Sequence, residues 1–526
     1  MASILRLFTA HFNARLAFSV SLVALSTANY GFDNQGFSAA QAMNPFEKQF
    51  GVYKYDAKTK KFQYALQAYW LSLYSSVIWI GFGVGLVAGS SISAKWGRRA
   101  GMLALSIWSI ICATVIVSSF SKWQLLAGRI LFYGYLGMEL AVLSVYQAEA
   151  VPTEVRGLVV CTYNFSQGIG GLIMNLICLG TSRIPNNSSW RIPFGLFYVV
   201  PSIVIAGLYW VPESPRWLLV NKRRDEAYHS LRLLRQGKRT EEEIAAELLS
   251  IETALREEPE QGRFKEIFYK ENIRRTLIAT GMNFFQEFSG QQITAKFGAL
   301  VVKDIGGIDP FIITVVFAVV GIITTFFVMV YSDSVGRRPF ILASITTMIC
   351  AEIGLGVIGG YDYTKIKSLA SAAIFFLVLL SFGFSLGFAP LTNVVMTEVV
   401  SLRLRDMSVR TAGMARVVSN FVVGFTLPYE IDDIGLQLGY IYAGICVIAI
   451  TFVFFCVPDC SGKSLETIEY LFHKGVPARK FKSYQGELRD HRQDSIIEDE
   501  IASHEKGALK EAVELKRQEE VSDEKL

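Results

Sequence analysis

FIITVVFAVVGIITTFFVMVYSDSVGRRPFILASITTMICAEIGLGVIGG, residues 311–360, reads as two apolar runs joined by a short loop carrying Asp333, Arg337 and Arg338. As a helix, each run is long enough to cross a hydrocarbon layer of about 30 Å. Working outward, runs of this kind recur at roughly 16–37, 66–93, 99–121, 123–147, 158–181, 192–211, 276–300, 310–332, 339–360, 369–397, 408–430 and 437–457, twelve in all. We number them spans 1 to 12. With 526 residues, 52% hydrophobic and only 18% charged, and a mean hydropathy of +0.36, the chain is expected to be an all-α polytopic membrane protein.

Composition excludes several classes. A net charge of +5 gives no argument for nucleic acid. The seven cysteines lie in or just beyond apolar runs and none forms a C-x-x-C pair, so they read as small hydrophobes rather than metal or redox ligands. No nucleophile elbow, metal cluster or phosphate loop is present, so neither an enzyme nor a cofactor is expected. The start, MASILRLFTAHFNARLAF, lacks a short apolar core followed by a small-residue cleavage site, and the first run reads as a retained span.

Loop charges set the expected orientation. Lys95, Arg98 and Arg99 follow span 2, Arg337 and Arg338 follow span 8, and Arg403, Arg405 and Arg410 follow span 10. All fall on one side, which becomes the cytoplasmic side and takes both termini with it. The 40–65 loop, with five lysines, dissents, but it is longer and its charges lie farther from the span ends. Asn186 and Asn187 begin overlapping N-x-S sequons in a loop that this orientation places outside.

The runs divide six and six. The expected organisation is a cytoplasmic N-terminus (1–15), a first six-helix bundle (16–211), a charged linker with short helices (212–275), a second bundle (276–457) and a largely disordered tail (458–526). The halves echo each other. Glu149 precedes Arg156 by seven residues after the fourth span of the first half, and Glu398 precedes Arg405 by seven at the same place in the second. KWGRR (95–99) and DSVGRR (333–338) match in the same way. Duplicated halves of this kind indicate a transporter.

On these motifs the chain resembles the sugar porters of the major facilitator superfamily, over roughly residues 16 to 475. The carrying residues are GFD (31–33), GRR (97–99), GR (128–129), E-x-x-P-x-x-x-RG (149–157), PESPRWL (212–218), FFQEFSGQQ (284–292), D-x-x-GRR (333–338), E-x-x-x-x-x-x-R (398–405) and NF…P (420–428). GFDNQGF looks similar to fungal members. The resemblance implies two pseudo-symmetric six-helix bundles and a monosaccharide carrier in the plasma membrane, working as a monomer by alternating access with a proton and a sugar as its partners. It also implies a cytoplasmic gate of charge pairs from Arg98, Arg99, Glu149, Arg156, Glu213, Arg216, Asp333, Arg337, Glu398 and Arg405. Arginine suits such a gate because its planar fork binds carboxylates at two points. The bland alternative is that these are topology signals and solvated loop charges. One departure is clear: the loop after span 2 carries Ala94 where the family usually has an acid, which leaves a role for another acid such as Glu154.

The resemblance pairs Asp33, at the end of span 1, with Arg129 of span 4. A charge at membrane depth is costly and usually faces a partner or a water-filled cavity. Protonation of Asp33 would release Arg129 and let spans 1 and 4 shift; the alternative is a static tie between two helices. Passive carriers in the family keep this acid too, so it permits symport without proving it. All five histidines lie outside the spans, which leaves carboxylates as the titrating groups at depth. Glu139, Glu287 and Glu352 are the others, and Glu139 and Glu352 read as solvated cavity or interhelical groups.

Sugar hydroxyls call for neutral amides beside aromatic faces. The resemblance assigns Gln167 and Gln286 as ligands, with Tyr30 on the cavity wall. Elsewhere the pattern breaks. Glu287 replaces the second of the paired glutamines, Gln292 an asparagine, Asn393 a tryptophan, and Arg416 an amide. Glu287 and Arg416 are expected to pair in the cavity, with Lys296 a further cation near the outer mouth. Fructose carriers in the family also lack the tryptophan, so fructose is the favoured hexose. Other readings are another neutral monosaccharide, a sugar acid such as galacturonate or quinate, a passive facilitator, and a transporter-like sensor.

Overall fold

In a computed structural model, residues 12–481 are described except 57–60, 257–263, 307, 364–365, 402–403 and 462–464. The side chains of Arg156, Asp333 and Arg405 lie outside that description, as does the tail beyond 481. Each of the twelve apolar runs carries helix. Span 1 is Ala14–Ala40, span 4 Lys122–Ala150, span 5 Thr153–Thr181, span 8 Pro310–Val335, span 9 Arg337–Gly359, span 11 Arg405–Ile434 and span 12 Leu438–Cys456.

Glycine lets the helices of each half pack backbone against backbone, as lipid-embedded helices require in the absence of a hydrophobic driving force between them. In span 2, Gly81, Gly85 and Gly89 recur every fourth residue, and a Cβ on them would meet Ile130, Gly134 and Met138 of span 4 at 2.1, 1.9 and 2.7 Å. In span 1, a Cβ at Gly31 would lie 2.0 Å from the Gln167 carbonyl of span 5. That contact presses Asp33, two residues on, into the bundle. Spans 9 and 12 pack likewise, through Gly439 against the Glu352 carbonyl. Each half thus holds a core of its own, one around Phe132, Tyr135 and Trp190 and one around Met348, Phe388 and Leu377.

Two spans are interrupted where the sequence suggested continuous helix. Span 7 runs Lys270–Glu287, stops, and resumes at Gln292–Ala295 and Gly298–Ile305. Gly290 sits at the break with φ +71°, a conformation that favours glycine. Span 10 (Lys367–Gly383, then Ala389–Val399) contains a π-helical turn at Phe384–Phe388. Pro390 has no N–H to continue the ladder. Ser344 braces the turn, donating to the Gly383 carbonyl at 2.6 Å and accepting from the Phe388 amide at 3.1 Å.

On the charged face, linker helices Arg224–Arg235 and Glu241–Arg256 pack through Leu231, Ile244 and Leu248. The second opens on a capping box: the Thr240 hydroxyl accepts from the Glu243 amide at 3.3 Å, and Glu243 accepts from the Thr240 amide at 2.8 Å. Buried Arg235 donates to Glu247 and to the Ala150 carbonyl, pinning the linker to span 4. On the opposite face, the 40–65 segment is not simply a loop. It holds a helix, Asn44–Phe50, and a hairpin of β1 (Val52–Asp56) and β2 (Lys61–Ala65) in which Tyr53 faces Tyr64 and Tyr55 faces Phe62. The alternating aromatics of VYKYD and KFQYA were the available signal.

The described contacts between the halves gather on that opposite face. The Ser72 hydroxyl of span 2 donates to the Phe425 carbonyl at 2.7 Å, Asn175 of span 5 donates to the Thr314 carbonyl at 3.0 Å, and a Cβ at Gly424 would lie 2.9 Å from the Ser75 carbonyl. Lys303 donates to Glu47 at 2.6 Å and to Asn44 and the Ala42 carbonyl at 3.0 Å each. The molecule is closed on the hairpin face.

Two predictions follow from this packing. Gly97, with φ +99°, closes the loop after span 2, and a Cβ there would lie 2.4 Å from Glu213 Oε2. Gly97→Ala should cost about 1–3 kcal/mol, read as a lower Tm in detergent, whereas Gly83→Ala, whose Cβ meets nothing within 4 Å, leaves Tm unchanged. At the seam, burial pushes Glu47 from 4.5 up to about 7, against the opposing pull of Lys303. Closure therefore takes up a proton, and the closed face gains stability as pH falls from about 7 towards the solvated value near 4.5. With a cysteine at Ser75, wild type should label from the hairpin face faster than Glu47→Gln at alkaline pH, and the two should converge in acid.

Candidate substrate and proton site

Asp33 and Arg129 meet inside the first bundle. Arg129 Nη1 donates to Asp33 Oδ1, and the two residues are 0% and 2% exposed. The neighbours that hold the guanidinium come from the same two helices at one-turn spacing. Phe37, four residues after Asp33, presents its ring 3.8 Å from the guanidinium carbon, and Tyr133, four after Arg129, lies at 5.2 Å. That i, i+4 spacing was the signal available in the sequence for both rings. Asp33 Oδ2 and Arg129 Nε have no hydrogen-bond partner among the described residues. Beside Arg129 lies a small polar cavity of about 10 Å³, room for roughly one water, lined also by Asn34, Ser38, Gln41, Ser75 and Lys296. The pair is sealed from bulk water, and its arginine lines this niche towards the hairpin face, with Phe37, Ile78 and Tyr133 completing the wall.

Four of the sequence candidates converge in the second bundle. Arg416 Nε donates to Glu287 Oε1 at 2.9 Å, and Gln292 donates to Glu287 Oε2 at 3.3 Å and to Asn420 Oδ1 at 3.0 Å. Lys296 reaches the same Asn420 oxygen at 3.4 Å and lies 5.7 Å over the Trp79 ring. The break in span 7 makes this possible, because it turns Gln292 and Lys296 towards span 11 while Glu287 ends the preceding helix. Asn420 was visible in the NF…P motif, but its role as the joint between Gln292 and Lys296 was not. Tyr30 of span 1, three residues before Asp33, is half-buried.

The amides behave differently from one another. Buried Gln286 spends its nitrogen on the Phe388 and Ala389 carbonyls at 3.3 and 3.5 Å, bracing the π-helical turn, and its oxygen has no partner among the described residues. Gln167 and Asn393 are half-buried and make no hydrogen bond among the described residues. They are the amides left open to a ligand. Glu139 and Glu352 are interhelical rather than solvated: both are 0% exposed and form no ion pair among the described residues. Glu139 has the Tyr135 hydroxyl beside it, and Glu352 lies under the span 7 break, where a Cβ at Gly290 would come within 2.5 Å of it. Helix packing closes over both, which sequence spacing could not foresee.

At the charged face, the described pairs form within each half rather than across the halves. Arg98 grips Glu149 with both edges at 2.7 and 2.8 Å, and Glu149 also accepts from Ser214 at 2.6 Å. Glu213 accepts the backbone amides of Arg98 at 2.9 Å and Arg99 at 3.2 Å, while the Arg99 side chain donates to the Leu208 carbonyl at 3.1 Å. Where Ala94 replaces the usual acid, its carbonyl accepts from Trp217 Nε1 at 2.8 Å, so backbone takes over the anchoring. In the second half Arg337 pairs with Glu398 at 3.1 Å, and its amide donates to Asp459 at 3.3 Å. Asp459, at the end of span 12, occupies the place that Glu213 holds after span 6 and was missed, since PDCSG differs from PESPR. Arg216 lies exposed, and Arg156, Asp333 and Arg405 fall outside the described side chains.

Comparison with known proteins agrees with this architecture. The chain is 26% identical over 494 residues to the low-affinity glucose transporter HXT1 of Saccharomyces cerevisiae, covering 91% of this chain and 86% of that one. It is 27% identical over 506 residues to the high-affinity gluconate transporter ght3 of Schizosaccharomyces pombe, covering 94% and 90%. Among solved structures, the inward-open conformation of the xylose transporter XylE from E. coli superposes with a TM-score of 0.70 at 20% identity, over 86% of this chain and 98% of that one. The fold is that of the major facilitator superfamily, twelve helices in two bundles. The sugar (and other) transporter family model matches residues 20–472, and the chain belongs to that family.

Proposed function

We propose that this sugar transporter moves a monosaccharide together with a proton across the plasma membrane by alternating access, as a monomer with both termini in the cytoplasm. The observation that carries the reading is the Asp33–Arg129 pair, closed off from bulk water yet adjoining a polar cavity on the hairpin side. Breaking one partner out of a buried pair costs about 3–5 kcal/mol. Protonation of Asp33 from that cavity would neutralise the acid and free Arg129, and spans 1 and 4 would then be able to shift. The charged face is cytoplasmic in this reading, so the seam at Ser72, Asn175 and Lys303 closes the outside and the conformation is inward-facing.

Arg98, Arg99, Glu149, Glu213, Arg337 and Glu398, with Arg156, Arg216, Asp333 and Arg405, are the gate. In the inward-facing state Arg98 and Arg337 are held within their own halves, and the pairs rearrange across the halves when the cytoplasmic side closes. Tyr30, Gln167, Gln286, Glu287, Gln292, Asn393 and Arg416 line the substrate cavity. Asn393 removes the aromatic plane on which a pyranose ring stacks, and among neutral hexoses this favours fructose. For a neutral sugar, one proton across 100 mV is worth about 2.3 kcal/mol, enough for roughly fiftyfold accumulation. The gluconate and glucose carriers among the relatives set the breadth of the panel to be tried.

The test uses cells stripped of their own carriers. Wild type should accumulate its substrate uphill and alkalinise the medium as it does so. Asp33→Asn should keep exchange of labelled for unlabelled substrate while accumulation falls to equality with the medium. Exchange also shows that the variant is folded. Unchanged uphill accumulation by Asp33→Asn removes the proton role. Substrate uptake by wild type without alkalinisation makes the chain a passive facilitator, and a chain that moves no substrate even when intact is the sensor.

A further inference from the structure

We infer that the substrate carries a carboxylate: the cavity is charged for an aldonate or uronate rather than for a neutral hexose. The inference rests on the transport reading above and names its substrate class. The first observation is Arg416. Although it sits at membrane depth in span 11, its side chain is 42% exposed. Only its Nε is engaged, by Glu287 at 2.9 Å, and its two terminal amino groups hold no hydrogen bond among the described residues. A guanidinium left with two parallel donors open to a cavity fits a carboxylate at two points.

The second observation is the charge balance. Asp33 answers Arg129, and Glu287 answers Arg416. Lys296 has no carboxylate partner among the described residues; its closest polar contact is the Asn420 oxygen, at 3.4 Å. The remaining acids facing this region do not answer it. Glu139 in span 4 and Glu352 in span 9 are both 0% exposed and form no ion pair among the described residues. One positive charge is therefore left uncompensated where charge is expensive. Asn420 joins the two observations, since its oxygen also accepts from Gln292, which binds Glu287 on Arg416. The two cations thus stand at either end of one polar strip, Arg416–Glu287–Gln292–Asn420–Lys296.

An anionic sugar uses every part of this arrangement. Its carboxylate meets the open fork of Arg416 and supplies the negative charge that Lys296 lacks. Its hydroxyls meet the unengaged amides Gln167 and Asn393. A neutral hexose would leave Lys296 unanswered and the two open amino groups of Arg416 without a carboxylate, and would have to displace water from them without replacing its hydrogen bonds. The electrical consequence is distinctive. One monoanion with one proton moves no net charge, so transport of the acid would be driven by the pH difference and be indifferent to membrane voltage.

The experiment expresses the full chain in carrier-deficient cells and measures uptake of labelled gluconate, galacturonate, fructose and glucose at equal concentration. We expect at least one acid to enter tenfold or more faster than either hexose, and its uptake to survive collapse of the membrane potential with the pH gradient held. Lys296→Met should weaken acid uptake at least tenfold through KM. Because Arg416→Gln leaves Glu287 unpaired, the double variant Glu287→Gln/Arg416→Gln accompanies it, and both should lose acid uptake while still reaching the cell surface. Entry of a hexose without entry of either acid overturns this inference and leaves the transport reading standing. So does acid uptake unchanged by Lys296→Met and the double variant. Uptake of no sugar of either charge overturns the transport reading, and this inference with it.

Discussion

Lipid gives a charged side chain nothing to bind, and the placement of the ionisable groups along this chain follows from that constraint. Asp33 is tied to Arg129 within one bundle, and Glu287 to Arg416 within the other. The first pair is shut away between two helices. The second stands at the edge of an opening. The two pairs thus differ in setting, one sealed within its bundle and one accessible.

Two close-packed halves meet at a seam on the hairpin face. Within each half, glycine brings backbones so close that a single methyl would collide, at Gly31, Gly85 and Gly439 among others. Close-packed interiors of this kind resist small deformations and move as units. Between the halves, the polar contacts described include single hydrogen bonds to carbonyls and the Lys303–Glu47 ion pair. Contacts of that sort exchange readily with water, so one face can part without disturbing either core. The breaks in spans 7 and 10 lie where the second bundle borders this seam, and they place Gln292, Lys296 and the Gln286 amide at the cavity.

Much of the site was legible in the residues. The resemblance to the sugar porters pairs Asp33 with Arg129, and Glu287 could be paired with Arg416 because both are charges at membrane depth. The partners that shape those pairs were less visible. Phe37 and Tyr133 follow from helical spacing once the pair is known, but Asn420 and Asp459 do not, since both act across more than 100 residues of chain. Gln286 adds a contact that the motif does not contain: its nitrogen also holds backbone that only a π-helical turn exposes.

Sequence alone determined the number of spans, the duplication of the halves and the side on which positive charge collects, because length, hydropathy and loop charge are local properties written along the chain. It also determined that the cavity departs from an all-amide pocket. Tertiary structure decided which acids see water. Glu139 and Glu352 look no different in sequence from Glu287, yet helix packing buries the first two completely and leaves the third beside an open arginine. It also decided that Lys296 stands without an ion-pair partner among the described residues, since charge balance in a cavity depends on which side chains distant segments bring within reach, and no stretch of sequence contains that information.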